Sequence, residues 1–355
     1  MTVLINGSPV TSRRSLPPVL IAHGFSLMKR RILRRFVAPS KVTFVRRGEQ
    51  IPSGATLVLW GSASVPQNAP CGLEVFRVED GFLRSVGLGA EMARPLSWVI
   101  DGSGIYYDPS RPSDLEEFLQ TMNCPAALLE RAATLRRRIV GAGITKYGVG
   151  NRAWRRPDRP GRVVLVVGQV ETDASLRLGA PTIRSNWDLV QEVRRAHPQD
   201  FLVYKPHPDV VARLRSRDQN EAGIDRLCDE VVTQTSIDCM LRQVDVVHVA
   251  TSLTGFEALL RGIPVVCHGQ PFYAGWGLTS DVDPLRRRTR KLSLDQLVAG
   301  TLIVYPRYSS RTTSRRISPE LALEELVQWT REDPRAGPFT LPLWRALLRI
   351  AVTQP

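Results

Sequence analysis

Lys205-Pro206-His207-Pro208 closes an apolar, strand-like run at 201–204, and Ser252-Leu253-Thr254-Gly255-Phe256-Glu257 opens a helix-like stretch further on. The first segment places an ammonium and an imidazole at the carboxyl edge of a strand. Lys205 lies two residues before His207 and shares its face, while the prolines stiffen the turn and aim the imidazole. The second segment sets two hydroxyls, Ser252 and Thr254, before a helix led by Gly255. Its unpaired N–H groups and positive dipole end attract a phosphate. Hydroxyls at such positions also cap helices, and both roles use the same helix end. Glu257, read in the first turn, is placed to accept ribose hydroxyls. Nucleotides bind at these strand ends in alternating strand–helix sheets. The expected chemistry is capture of a nucleotide phosphate, with a sugar nucleotide the leading candidate.

A second kind of chemistry sits earlier. Glu79-Asp80-Gly81-Phe82-Leu83-Arg84 follows a strand, so adjacent carboxylates stand at its end, relieved by a glycine turn and followed by an arginine. A surface turn with one salt bridge explains this equally well in isolation. Two loops extend the candidate set. Gly168-Gln169-Val170-Glu171 leaves a strand on the same side as Lys205, and Pro271-Phe272-Tyr273-Ala274-Gly275-Trp276-Gly277 has the aromatics and glycines of a sugar-lining loop. Ordinary loop packing is the plain alternative for both.

Positioning these residues requires strands alternating with helices. Strands are expected at 163–167, 201–204, 246–250 and 264–267, with helices at 186–196, 237–241 and 255–260. The N-terminal half reads less regularly, with strands at 19–22, 42–45, 57–60, 75–78 and 98–100 and helices at 115–122 and 126–140. Helices at 319–330 and 343–350 end the chain. A Gly/Pro-rich, charged stretch at 141–161 divides the halves. The expected class is α/β, two Rossmann-like domains facing one another across a cleft. Residues 1–150 carry the Glu-Asp-Gly motif, 151–318 bind the nucleotide, and 319–355 form terminal helices that can pack back on the first domain.

Composition narrows the partners. The 355 residues include 48 Lys plus Arg against 34 Asp plus Glu, a net charge of +14. Such a surplus suits a polyanion, an anionic membrane face or an anionic substrate. No zinc spacing, RNP-like strand or repeated basic helix supports nucleic acid. The basic clusters Lys29-Arg30-Arg31, Arg34-Arg35, Arg136-Arg137-Arg138 and Arg286-Arg287-Arg288 are scattered. Five cysteines, odd in number and without CxxC spacing, fit a reducing compartment rather than a disulfide or zinc framework. No apolar run is long enough to span a bilayer, and no signal-peptide pattern opens the chain. A cytoplasmic, at most peripheral, protein is expected.

Taken in order, Glu79–Ser85, Gly104-Ile105-Tyr106-Tyr107-Asp108, Gly168–Glu171, Lys205–Asp209, Ser252–Gly262 and Pro271–Gly277 resemble the retaining β-Kdo transferases of bacterial capsule biosynthesis (KpsC type). The resemblance runs from about residue 22 to about 308. Members usually carry two such modules in tandem; this chain has one set, most similar to the C-terminal module. The resemblance implies the GT-B architecture, CMP-Kdo as donor, and a Kdo oligosaccharide on a (lyso)phosphatidylglycerol-type lipid as acceptor. Asp80 would be the nucleophile of a double displacement through a covalent Kdo–Asp adduct, with Glu79 and Arg84 beside it and Arg84 pairing the Kdo carboxylate. Gln169, Glu171, Lys205, His207, Pro208, Ser252, Thr254, Gly255, Glu257 and Tyr273 would bind the donor, with no metal and no cofactor. The inner face of the inner membrane, anionic, and other capsule biosynthesis and export proteins are the partners implied. The competing readings are a GT-B transferase with another CMP-linked donor, or a non-catalytic glycan- or lipid-binding module.

Overall fold

The structure, a computed structural model, describes residues 3–5, 8–10, 15–46, 48–85, 95–146, 153–211 and 223–332. It divides into two compact α/β units. The first comprises Met1–Arg84, Arg94–Ile139 and Arg287–Leu326, and the second is built on Val140–Arg286. Each unit holds one six-stranded sheet with its own core, which is the two-domain Rossmann-like class expected.

A short hairpin, β1 (Val3–Ile5) and β2 (Ser8–Val10), precedes the first sheet. That sheet contains β3 (Val19–His23), β4 (Lys41–Val45), β5 (Thr56–Trp60), β6 (Glu74–Asp80), β7 (Ser97–Asp101) and β14 (Arg307–Tyr308), in the order β14-β7-β6-β5-β3-β4. β3 to β6 run parallel, whereas β7 and β14 pair antiparallel. Helix α1 (Leu27–Val37) buries Ile32, Leu33, Phe36 and Val37, and the core on that face includes Phe76, Val78 and Trp98. Phe36 stacks on Trp98 with centroids 5.1 Å apart. A side chain of that size contributes about 1.5–3 kcal/mol through burial alone. Sequence reading saw only basic clusters here, because five cations in eleven residues hide the helical spacing of the four apolar ones. The Ser26 hydroxyl, accepting from the Lys29 N–H, marks the helix start.

The second sheet is parallel throughout: β8 (Val163–Val167), β9 (Phe201–Lys205), β10 (Glu230–Val231), β11 (Val246–Val249), β12 (Val265–Cys267) and β13 (Ser280–Asp281), in the order β10-β9-β8-β11-β12-β13. β8 and β11 are buried along their length; β8 is a continuous Val/Leu run, and β11 is broken only by His248, as befits a doubly covered parallel sheet. Helices α5 (Asn186–Ala196) and α8 (Leu253–Leu260) connect its strands. α5 starts with a capping box in which Ser185 and Asp188 satisfy each other's backbone N–H.

The boundary expected at 318 lies instead near 286. Residues 287–318 join the first unit because β14 pairs with β7, and Gly300 packs against Phe118 and Leu119 of α2 (Asp114–Thr121). Arg287 and Arg288 also bind Glu116 of that helix. α3 (Ala126–Gly141) and α10 (Pro319–Glu332) are tied by Arg131–Glu320 and Arg138–Glu324. The helix expected at 343–350 lies outside the described residues.

Candidate active site

In the first unit, Asp80 is the last residue of β6 and stands directly opposite Trp98 of β7. Opposed residues of paired strands project to the same face, so the indole reaches the carboxylate. Trp98 Nε1 donates to Asp80 Oδ1 at 3.0 Å, and Arg84 Nε donates to Oδ2 at 2.6 Å. Arg84 and Trp98 are buried, yet the Asp80 side chain keeps 23% of its surface exposed. A carboxylate with both oxygens bound by fixed donors and one flank open is held in a single orientation and aimed. Arg84, expected to pair with a sugar carboxylate, gives its Nε–H to Asp80.

Glu79 points to the other sheet face, by strand alternation. Its Oε1 accepts the Asp80 N–H at 3.0 Å and its Oε2 the Tyr107 hydroxyl at 3.4 Å. Burial and the Glu79 charge push Tyr107 above the usual phenol range. Glu79 therefore shapes the strand end. Gly61, with φ +51°, lies so close that a Cβ there would meet the Tyr107 hydroxyl at 2.6 Å and Glu79 Oε2 at 2.9 Å. Tyr106 donates to the Asp80 carbonyl at 3.4 Å.

The loop carrying both tyrosines hangs on Asp101. This buried residue accepts from the Ser103, Gly104 and Asp114 N–H groups and from Tyr305. Desolvation and the nearby Asp114 charge raise it to about 6. Lys29, from the first turn of α1, lies 3.3 Å from the centre of the Trp60 ring. The Trp60 ring in turn meets Trp98, centroids 5.1 Å apart, which links Lys29 to the Asp80 cluster; burial lowers the Lys29 pKa, and the Glu79 and Asp80 charges oppose the shift. Trp98, Lys29, Tyr106 and Tyr107 escaped the sequence reading as site residues. The Gly104–Asp108 motif signalled the tyrosines; nothing in spacing alone linked Lys29 to Asp80.

In the second unit, Lys205 ends β9 and Ser252 caps α8 after β11. β9 and β11 flank β8, which puts their ends about 10 Å apart, a span that a nucleotide can bridge. Lys205 is buried, gives one proton to the Thr235 carbonyl at 2.7 Å, and is lowered to about 8 by desolvation. An ammonium has three donors. His207 leads α6 (Pro208–Val211), with Pro208 at the first helical position. Its Nδ1 accepts the Asp209 N–H at 3.1 Å, so the neutral ring carries its proton on Nε2. The Ser252 hydroxyl accepts from the Thr254 N–H at 3.3 Å.

Four residues expected to contact the donor form braces within the second unit. Gln169 bridges to Thr251 through Nε2 at 3.0 Å and takes the Thr251 N–H on Oε1 at 2.8 Å, sealing the end of β8. Glu171 accepts the Asn186 N–H at 2.6 Å, satisfying the start of α5. Helix α8 begins at Leu253, two residues earlier than read, so Glu257 falls in its second turn. There it is buried and accepts the Lys146 N–H at 2.6 Å, and desolvation raises it to about 7. Tyr273 is fully buried and donates to the Ser252 carbonyl. Its hydroxyl lies against Gly255, where a Cβ would collide. The glycine makes room for a tyrosine strut. Phe272 and Trp276 are likewise buried, because rings on this loop fill the space beneath α8 instead of lining a pocket.

Residues 57–138 and 125–308 match the model of the capsule polysaccharide biosynthesis protein family. The capsule polysaccharide modification protein LipA of Neisseria meningitidis serogroup A is 41% identical over 315 residues, covering 86% of this chain and 45% of LipA. The lipopolysaccharide-processing protein LpsZ of Rhizobium meliloti is 39% identical over 90% of this chain and 76% of its own length. The chain spans about half the length of LipA. Two solved structures, the β-Kdo 2,7 and 2,4 transferases of Thermosulfurimonas dismutans KpsC, each superpose with a TM-score of 0.73 over 87% of this chain and 98% of theirs. Their identities are 39% and 30%. The matched strand ends carry both the Asp80 cluster and the Lys205 turn, and on this sequence and structural evidence the chain belongs to the KpsC-like capsule polysaccharide biosynthesis proteins.

Proposed function

We propose that this chain is a glycosyltransferase that moves Kdo from CMP-Kdo to a lipid-linked Kdo acceptor of the capsule, with retention. The observation that carries the reading is Asp80, held by Arg84 and Trp98 with one flank open. In this scheme the second unit binds CMP and the first supplies the nucleophile. An Asp80 oxygen attacks the anomeric carbon, and the sugar–phosphate bond breaks with its electron pair leaving on CMP. Lys205, the His207 Nε2–H and the N–H groups of α8 meet the charge on the departing phosphate. The scheme draws on no resident cofactor. An acceptor hydroxyl then displaces the Asp80 carboxylate from the same carbon and releases its proton to solvent, and two inversions amount to retention. Arg84 and Trp98, donating to the two Asp80 oxygens, hold the carboxylate in place through both steps.

The deciding measurement is the intact mass of protein mixed with CMP-Kdo and no acceptor. A gain of one Kdo residue, located on the Asp80 peptide and missing from Asp80→Asn, is the expected result. Turnover with acceptor in the absence of any adduct at Asp80 would overturn the covalent route. Adduct formation with other CMP-linked sugars but not CMP-Kdo would reassign the donor.

A further inference from the structure

The four basic clusters of the sequence have different fates in the fold. Arg136 pairs with Asp295 and Arg138 with Glu324, while Arg287 and Arg288 share Glu116. Those two clusters hold the first unit together. The clusters on α1 do not. Among the described residues, Arg30, Arg31, Arg34 and Arg35 form no ion pair, and α1 contains no acidic residue.

Helical geometry then sorts the eleven residues of α1. Ile32, Leu33, Phe36 and Val37 face the core; at 100° per residue the four arginines fall on the opposite half of the wheel, together with Leu27 and Met28. Arg31 and Arg34 are exposed and Arg30 and Arg35 partly so. Arg30 and Arg34 lie over the Phe44 ring, at 5.1 and 4.8 Å from its centre, which holds the cations against the flank of edge strand β4. Lys41 and Arg46, both exposed, lie on and just after that strand. At the helix tip, Leu27 is 80% and Met28 39% exposed.

We infer that α1 and the β4 edge form a docking surface for an anionic phospholipid bilayer, with Leu27 and Met28 entering the headgroup–acyl boundary and the arginines binding lipid phosphates. Charge complementarity argues for the occupant: unpaired cations with no interspersed acids, next to exposed apolar side chains, match an interfacial helix. A nucleic acid would satisfy the arginines but leave Leu27 and Met28 without a role. The surface also ends at the chemistry. Lys29, the residue after Met28, packs on Trp60, whose ring meets Trp98, the donor to Asp80, so a chain of contacts joins the helix tip to the carboxylate. An acceptor anchored in the bilayer at Leu27 would present its sugar end to Asp80. That last step rests on the proposed function; the docking surface itself does not.

The test is flotation of the full chain with vesicles of phosphatidylcholine alone or mixed with phosphatidylglycerol, with no sugar nucleotide or acceptor present. Binding should require phosphatidylglycerol. Each arginine near such a surface contributes about 1 kcal/mol, so R31Q/R34Q should lower the partition coefficient about 30-fold. L27S/M28S should lower it at phosphatidylglycerol contents where the arginines remain engaged. R177Q/R226Q, the same charge change at exposed sites on the second unit, should change it less than about twofold, because neither residue belongs to the proposed surface. Equal loss in the control, no loss in R31Q/R34Q, equal binding to neutral vesicles, or retention of full binding in L27S/M28S with displacement by short duplex DNA would each overturn the proposal. Formation of the Asp80 adduct by R31Q/R34Q at the parental rate shows that this variant is folded. A failed flotation leaves the adduct experiment unaffected, so the two readings fall separately.

Discussion

The ends of β6 and β9 both carry charged side chains at the carboxyl edge of a parallel run, but the two regions use them differently. At β6, nearly every polar group converges on one carboxylate: Arg84 and Trp98 bind the Asp80 oxygens, and Glu79 and Tyr106 bind its backbone. At the ends of β8, β9 and β11, four of the ten suspected ligand residues brace loops instead, with Gln169, Glu171, Glu257 and Tyr273 all bonded within the protein. The difference teaches that a motif contains both its chemistry and its scaffolding. A nucleophile needs fixed partners around one atom. A phosphate needs mainly N–H groups and one or two cations, so the surrounding polar residues are left to rigidify the loops that present them.

The comparison is broken most severely at Asp80. Asp80→Asn should lower kcat by at least about a thousandfold, the scale on which loss of a covalent nucleophile falls, while leaving the CMP dissociation constant unchanged by calorimetry. Near-normal turnover would remove the distinction between the two regions, and a large loss of CMP affinity would mean that Asp80 serves binding.

His207→Ala tests the other side. Loss of a charge-assisted bond to a phosphate costs roughly 1.5–3 kcal/mol, so CMP affinity should fall about 10- to 100-fold. In the parent, CMP affinity should also decline as pH rises through about 8, where Lys205 gives up its proton. Normal CMP binding by His207→Ala would make the imidazole structural, like its neighbours.

The smallest effect concerns Glu257, which the structure makes a brace. Its carboxyl is raised from 4.5 to about 7 by burial. The native state therefore holds the proton more tightly than the unfolded chain, so the favourable contribution is complete below about 4.5 and is lost as pH rises through about 7. Glu257→Gln keeps an acceptor for the Lys146 N–H without the ionisation. It should be more stable than the parent above pH 7, by about 1 kcal/mol and at most on the order of 3 kcal/mol, with the gain vanishing near pH 4.5. Thermal melts across that range check it. A destabilised variant at pH 8 would show that the ionised carboxylate is required there.

Much of the fold was legible. The strands at 163–167 and 201–204 and the helix at 186–196 stand where apolar runs and spacing put them, because buried parallel strands and amphipathic helices write their burial directly into residue type. α1 was not legible, since its arginines mask four core residues. Nor was the 287–318 segment, whose allegiance depends on β14 pairing with β7 across two hundred residues of chain.

For the site, the sequence by itself determined which residue types stand at which strand ends: Asp80 after β6, Lys205 and His207 after β9, Ser252 before α8. Local periodicity and turn chemistry suffice for that, as both act over a few residues. Only the tertiary structure decided which partners each of them meets within its own unit. It gave Arg84 to Asp80, brought Trp98 across from β7 and Lys29 from α1, and buried Glu257 and Tyr273. Hydrogen bonding and desolvation depend on distances between residues far apart in the chain, and those distances exist only after the sheets have formed.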